Sequence, residues 1–346
     1  MTPYVLSMIR PDQLLRETER GLWCEPGDFY IDPMRPAERA LVTHGHADHA
    51  RAGHERVLAT PETLAIMAAR YGEAFTPDPV PIGYGERLKI GEVEVSFHPA
   101  GHVLGSAQIR LEWKGLVIGV SGDYKRRRDP TCAPFEVFPA HVYVSEATFA
   151  LPVFRHPDDA GEIAKLLKSV RENPDRTHLV GAYALGKAQR LICLLREAGY
   201  DAPIHIHGAM EQLCALYRDH GVDLGPLAKA TLKDGEGTKQ DFAGKIVIGP
   251  PSSFQTAWAR RFSDPVISFA SGWMQVRARA RQRGVELPLI LSDHADWDEL
   301  TQTIRDVNPE EVWITHGRDD ALARWAELEG YAARPLSLVG YEDEDD

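Results

Sequence analysis

An α/β fold in two parts is the architecture this 346-residue sequence predicts, and three observations carry it. The first half holds short apolar or alternating runs bounded by Gly, Asp or Pro, as strands do. From about Asp158 helix and strand alternate, which implies a parallel sheet with helices on its faces. Finally, the notable polar residues fall at or just past predicted strand ends, where a sheet can bring them together on one rim.

In chain order, strands are predicted at 40–43, 93–98, 116–120 and 142–145. A helix is predicted over 61–71, with Pro61 suited to its first turn and Gly72 just past its end. The second part reads as helix 158–172, strand 178–182, helix 187–198, strand 203–207 and helix 210–220. Strands 245–248 and 266–270 precede an arginine-rich segment. Strand 287–291, helix 296–306, strand 311–315 and helix 321–329 complete the series. No internal repeat is present.

A hydrophobic share of 43% with 26% charged residues and no long apolar run predicts a soluble globular chain. Residues 1–20 carry charged side chains, among them Asp12, Arg16, Glu17, Glu19 and Arg20, and no apolar core, which predicts neither a signal peptide nor a membrane span. Cys24, Cys132, Cys193 and Cys214 show no CxxC spacing, so reduced thiols and a cytoplasmic location are expected. The net charge of −12 argues against a polyanionic partner, but two features offset it. An acidic tail, 342–346, carries part of the charge, and basic residues cluster at Lys125–Arg128, Arg260–Arg261 and Arg277, Arg279, Arg281 and Arg283. Taken alone, each cluster reads first as a solvated face.

Thr43-His44-Gly45-His46-Ala47-Asp48-His49 places three histidines and a carboxylate within six residues, just after an apolar run. Imidazole and carboxylate suit a borderline ion such as zinc. His44 and His46 can face one ion, with Asp48 and His49 placed for a second. His102 lies between Gly101 and Gly105, which would let the backbone approach an ion closely; a turn histidine is the alternative. Asp123, in Ser121-Gly122-Asp123-Tyr124, reads either as a turn or cap aspartate or as a bridge between ions about 3.5–4 Å apart. Grouping His44, His46 and His102 on one ion and Asp48, His49 and His316 on another leaves Asp123 between them. Such a pair of divalent ions, zinc or alternatively manganese, lowers the pKa of water to about 7 and suits phosphodiester hydrolysis.

The series THGHADHA, GHV, SGDY, SEAT, SDHAD and THG, in that order, resembles the metallo-β-lactamase-fold nucleases that carry a β-CASP insertion. It spans His44 to His316, and Gly186-Lys187-Ala188-Gln189-Arg190 is similar to the start of a β-CASP helix. The resemblance implies an αββα metallo-β-lactamase sandwich from 1–157 and 286–346, with an α/β β-CASP domain inserted at 158–285. It implies metal ligation by His44, His46, Asp48, His49, His102, Asp123 and His316. Asp48, His294 and Glu146 are implied as catalytic, His294 as general acid and Glu146 as the group that orients it. Lys187, Arg155 and Arg277 are candidate phosphate contacts.

For the substrate, the strings at 121–191 resemble those of bacterial ligase-associated DNA exonucleases. That likeness implies single-stranded or end-containing DNA as substrate, in DNA repair beside an ATP-dependent DNA ligase and a helicase, with no membrane partner. His316 is instead similar to the RNA-processing branch, so a ribonuclease is the alternative, and a small-molecule metallohydrolase a more distant one. Tyr124, Phe149, Phe154, Phe254, Trp258 and Trp273 are available for base stacking, or belong to the core.

Overall fold

The computed structural model describes residues 9–230, 239–317 and 319–337. Strands β1 (Arg16–Thr18), β2 (Gly21–Cys24), β3 (Phe29–Ile31), β4 (Arg39–Leu41), β5 (Arg56–Ala59) and β6 (Asp78–Pro81) pair in that order. The first three are antiparallel and the rest parallel. Helix α1 (Pro61–Tyr71) makes the crossover that the parallel pair β5–β6 requires. Its start follows from local chemistry: Thr60 accepts a hydrogen bond from Thr63 N, and Pro61 occupies the first turn.

The second sheet begins with β7 (Arg87–Ile90), β8 (Val93–Pro99), β9 (Ala107–Trp113), β10 (Leu116–Val120) and β11 (Val142–Ala147). The chain then leaves it to build a third. Strands β12 (His178–Gly181), β13 (Ile204–Ile206), β14 (Leu227–Lys229), β15 (Ile246–Gly249), β16 (Val266–Ala270) and β17 (Leu287–Leu289) form an all-parallel sheet, ordered β14-β13-β15-β12-β16-β17. Helices α2 (Asp159–Glu172), α3 (Lys187–Glu197), α4 (Glu211–Asp219) and α5 (Arg277–Gln282) accompany it. The expected limit of this unit at 285 falls short of β17, because Leu287–Leu289 pairs with β16.

After α6 (Trp297–Val307) the chain returns to the second sheet with β18 (Glu311–Gly317), α7 (Asp319–Glu329) and β19 (Ala332–Pro335). That sheet reads β19-β18-β11-β10-β9-β8-β7. All six residues of β11 are buried, as a central strand covered on both faces should be.

The layers follow from which side chains meet. Leu22, Phe29, Ile31 and Leu41 of the first sheet share one core with Val95, Phe97, Ile109, Val144 and Trp313 of the second. The outer face of the first sheet packs Ala40, Val57 and Ala59 on Leu64 and Met67 of α1. The outer face of the second packs Val312 and Ile314 on Leu300, Ile304 and Leu322 of α6 and α7. The result is the expected α-β-β-α sandwich. Trp313 is 1% exposed at its centre, so Trp313→Ala is expected to cost about 3–5 kcal/mol, read as a lowered urea midpoint. The inserted unit has its own core, in which Ile163, Leu191, Ile192 and Met210 cover Val180 and Ile248. Ile66 and Leu104 of the sandwich join that core and tie the two units together. Among the described residues no helix is long and apolar enough to cross a membrane.

Candidate metal centre

The loop after β4 brings His44, His46, Asp48 and His49 to the rim shared by both sheets of the sandwich. His102 arrives from the β8–β9 connection and Asp123 from just past β10. His44, His46, His102 and Asp123 are buried, and each offers a donor atom within 4.8 Å of the others. His46 Nδ1 lies 3.1 Å from His44 Nε2 and 3.0 Å from His102 Nε2. Asp123 Oδ2 lies 3.5 Å from His44 Nε2 and 3.7 Å from His102 Nε2.

The outward hydrogen bonds fix which ring nitrogens carry protons. His102 Nδ1 is 2.8 Å from Asp293 O, and His46 Nε2 is 3.4 Å from Leu185 O; carbonyls only accept, so both nitrogens donate. Thr43 Oγ1 gives its proton to Asp32 Oδ2 at 2.6 Å, so it accepts from His44 Nδ1 at 3.1 Å. Three lone pairs therefore converge, that of His46 Nδ1 about 3 Å from each of the other two nitrogens. Burial, then the neighbouring imidazoles, holds His44 and His102 well below the usual histidine range, so neither of these rings takes up a proton to relieve the repulsion. A cation does. A tetrahedral zinc site with ligands at 2.0–2.1 Å has edges of about 3.3 Å, close to these separations.

The second half of the rim is richer in carboxylate. His49 Nε2 faces Asp48 Oδ2 and Asp123 Oδ1, both at 3.6 Å, while its Nδ1 donates to Asp32 Oδ2 at 2.8 Å. Burial opposes a charge on His49, but Asp123, Asp48 and Asp32 outweigh it and push the ring up to about 10. Three carboxylates demand a positive charge here, either a proton on His49 or a metal ion in its place. Burial pushes Asp123 up to about 7, against His49 and His294, and its Oδ1 has no hydrogen-bond partner among the described residues. One oxygen of Asp123 thus faces each half of the site.

Asp32 escaped the sequence reading. It follows β3 at φ +44°, accepts from Thr43 N and Oγ1, and orients His49. The only signal was an aspartate before proline at a strand end. Asn tolerates that left-handed backbone, so Asp32→Asn should fold and weaken metal affinity by about 10–100-fold, checked by titration against a competing chelator.

Beside the rim, His294 Nδ1 is 3.1 Å from Glu146 Oε2 and 3.9 Å from Asp123 Oδ2. Glu146, fully buried at the end of β11, also accepts from Tyr124 N at 2.7 Å. Burial works against protonation of His294, yet Glu146 and then Asp123 raise it well above the usual histidine range. Asp296 caps α6 through Glu299 N, with Glu299 returning a bond to Asp296 N, which fixes where the chain leaves His294. His316 lies in the backbone of β18 where its register with β11 shifts; its side chain lies outside the described residues. The acidic tail, 342–346, does too.

Several expected contacts are placed differently. Gly101 and Gly105 seat the His102 loop closely against protein: a Cβ at Gly101 would stand 2.3 Å from Lys125 O, and one at Gly105 2.6 Å from Glu62 Cβ. Lys187 is 5% exposed and pairs with Asp293 at 2.9 Å, so it offers no surface phosphate contact. The run Lys125–Arg128 turns inward or across: Lys125 is buried, Arg126 pairs with Asp306, Arg127 with Asp296, and Arg128 with Glu197. Arg155 is exposed and paired with Asp298 at 2.9 Å, while Arg277 is exposed at the start of α5. Tyr124, Phe149, Phe154 and Trp258 are core residues, whereas Phe254 and Trp273 are half-buried.

Residues 287–331 match the family described as Zn-dependent metallo-hydrolase RNA specificity domain. A probable DNA ligase of Opitutus terrae is 30% identical over 319 residues, which is 88% of this chain and 30% of that protein. A ribonuclease of Thermus thermophilus is 26% identical over 215 residues, 53% of this chain and 48% of that protein. The chain therefore spans less than half the length of either relative. A protein of unknown function from Enterococcus faecalis, known from its crystal structure, has a similar fold, with TM-score 0.56 and 14% identity over 87% of this chain and 80% of that one. Fold and site together define an α-β-β-α sandwich with a buried histidine and aspartate cluster at its rim that could hold a metal ion. The chain belongs to the metallo-β-lactamase-fold family that carries a β-CASP insertion.

Proposed function

We propose that the protein is a metal-dependent nuclease that hydrolyses phosphodiester bonds at DNA ends. The observation that carries the choice of DNA is that a region similar to 88% of this chain makes up 30% of a protein named as a probable DNA ligase. An end-trimming activity and a sealing activity act on the same strand ends, so a DNA ligase, and a helicase that exposes single strands, are the partners this reading implies.

In this reading His44, His46, His102 and Asp123 hold one divalent ion, and Asp48, His49, Asp123 and His316 hold a second. Zinc suits the imidazole-rich set and manganese is the alternative. When bound, such ions lower the pKa of water and offset phosphate charge. The protein's own part is to hold the phosphate between the sandwich and the inserted unit that begins at 158. His294, charged by Glu146, delivers a proton to the leaving oxygen. Arg277 and Arg155 are exposed, Arg155 beside Asp298, and are the candidates for contacts to backbone phosphates.

RNA is the second reading, favoured by the description of the family matched at 287–331 and by the ribonuclease relative. The deciding experiment compares matched end-labelled single-stranded DNA and RNA, with and without chelator. Chelator-sensitive, stepwise shortening of DNA with slow cleavage of RNA is expected. Faster cleavage of RNA would move the protein to RNA processing, and cleavage of neither would leave a small-molecule hydrolase.

A further inference from the structure

His294 sits on a crossing between the two units, and both units hold it. On the inserted side, Leu289 O accepts from Ser271 N at 3.1 Å, and Ile290 N donates to Glu162 Oε2 of α2 at 2.7 Å. Arg190 of α3 donates to Ser292 O, and Lys187 in the first turn of α3 pairs with Asp293 Oδ1 at 2.9 Å. On the sandwich side, Asp293 O accepts from His102 Nδ1 at 2.8 Å, and Ala295 N donates to Tyr124 O at 2.7 Å. Asp293 is thus clasped by its carboxylate from one unit and by its carbonyl from the other, one residue before His294.

The start of α3 is fitted to this contact. Gly186 precedes Lys187 at φ +81°, and a Cβ there would stand 2.4 Å from Val103 Cγ1 and 3.7 Å from Asp293 Oδ2. Only glycine lets the positive end of α3 come this close to both the His102 loop and the Asp293 carboxylate. Lys187 and Asp293 are 5% and 3% exposed, so each charge depends on the other for compensation.

We propose that Lys187 is a positioning residue for the proton-donating step: through Asp293 it fixes where His294 stands against Glu146. The inference rests on the phosphodiesterase reading above. It differs from the expectation that Lys187 touches substrate phosphate, since its amine is buried and paired with Asp293. The inserted unit, on this view, supplies alignment of the acid as well as a wall of the cleft.

The test uses two substrates with the full-length, metal-loaded protein. A DNA oligonucleotide has a poor alkoxide leaving group that needs a proton, whereas bis(p-nitrophenyl) phosphate releases a phenolate that does not. Lys187→Met is expected to lower kcat on the oligonucleotide about 10–100-fold, the scale of a small misplacement of a catalytic group. The loss on the activated ester should stay within about threefold, because that leaving group departs without a proton. KM and metal content should be unchanged, Lys187→Arg should recover part of the loss, and amide exchange over 290–296 should quicken. Lys187→Met combined with Asp293→Asn removes both buried charges, guards against simple unfolding, and should show the same split between substrates.

Equal losses on both substrates would reduce Lys187 to a structural staple and overturn the proposal alone. A raised KM with kcat retained on DNA would restore the phosphate contact and likewise overturn it. A wild-type protein that cleaves the ester but neither DNA nor RNA would overturn the nuclease reading, and this inference with it.

Discussion

Asp123→Ala is expected to lower DNA hydrolysis by about 10³-fold or more and to strip metal from both halves of the site. Transition-state stabilisation by an ion is worth several kcal/mol, and about 1.4 kcal/mol is a factor of ten. Asp123 carries this weight because its two oxygens face different groups, Oδ2 toward His44 and His102 and Oδ1 toward His49. Alanine removes a ligand from each half and leaves His49 with only Asp48 and Asp32 for charge balance. The check is metal content per chain by elemental analysis, run beside the cleavage assay. A variant that keeps its full metal complement would mean Asp123 is not shared.

His294→Ala should behave in the opposite way toward metal. Cleavage of DNA is expected to fall about 10²–10⁴-fold, the range for a lost general acid, while metal content stays at the wild-type level. The reason is position: His294 Nδ1 is engaged with Glu146 at 3.1 Å and stands outside the three imidazoles that converge around His46. Glu146→Gln tests the same assignment through pH. Glu146 raises the His294 pKa, so its loss lowers that pKa and the acid gives up its proton sooner as pH rises. The alkaline limb of kcat should therefore move to lower pH in Glu146→Gln. Metal lost from His294→Ala, or an alkaline limb that stays put, would remove His294 from the role of acid.

Much of this arrangement was legible in the sequence because strand ends carry the chemistry. The helix expected over 61–71 and the strands expected at 116–120 and 266–270 match the observed elements, and 142–145 falls inside β11. Apolar runs with Gly, Pro or Asp at their borders leave little freedom there. The short strands β1 to β3 went unread, since three or four residues are too few to establish an alternation. What else was missed depends on partners far along the chain. Arg126 meets Asp306, 180 residues away, and Lys187 meets Asp293, so the sequence counted basic residues without showing what neutralised them. Asp32 went unread because its acceptors serve Thr43 and His49, neither of which is close by in sequence.

The second sheet has a bearing on how the protein is made. Its strand β11 pairs on one side with β10 and on the other with β18, and more than 160 residues separate β11 from β18. While a ribosome is producing the inserted unit, β11 has a free edge, and all six of its residues belong in the interior of the finished molecule. An apolar strand with an open edge invites pairing with another chain, so prematurely terminated products should aggregate rather than accumulate as stray metal-binding fragments. The inserted unit, with a sheet and most of a core of its own, can fold during that wait. Closure of β18 onto β11 then follows the folding of the inserted unit, and it brings the backbone of His316 to the rim.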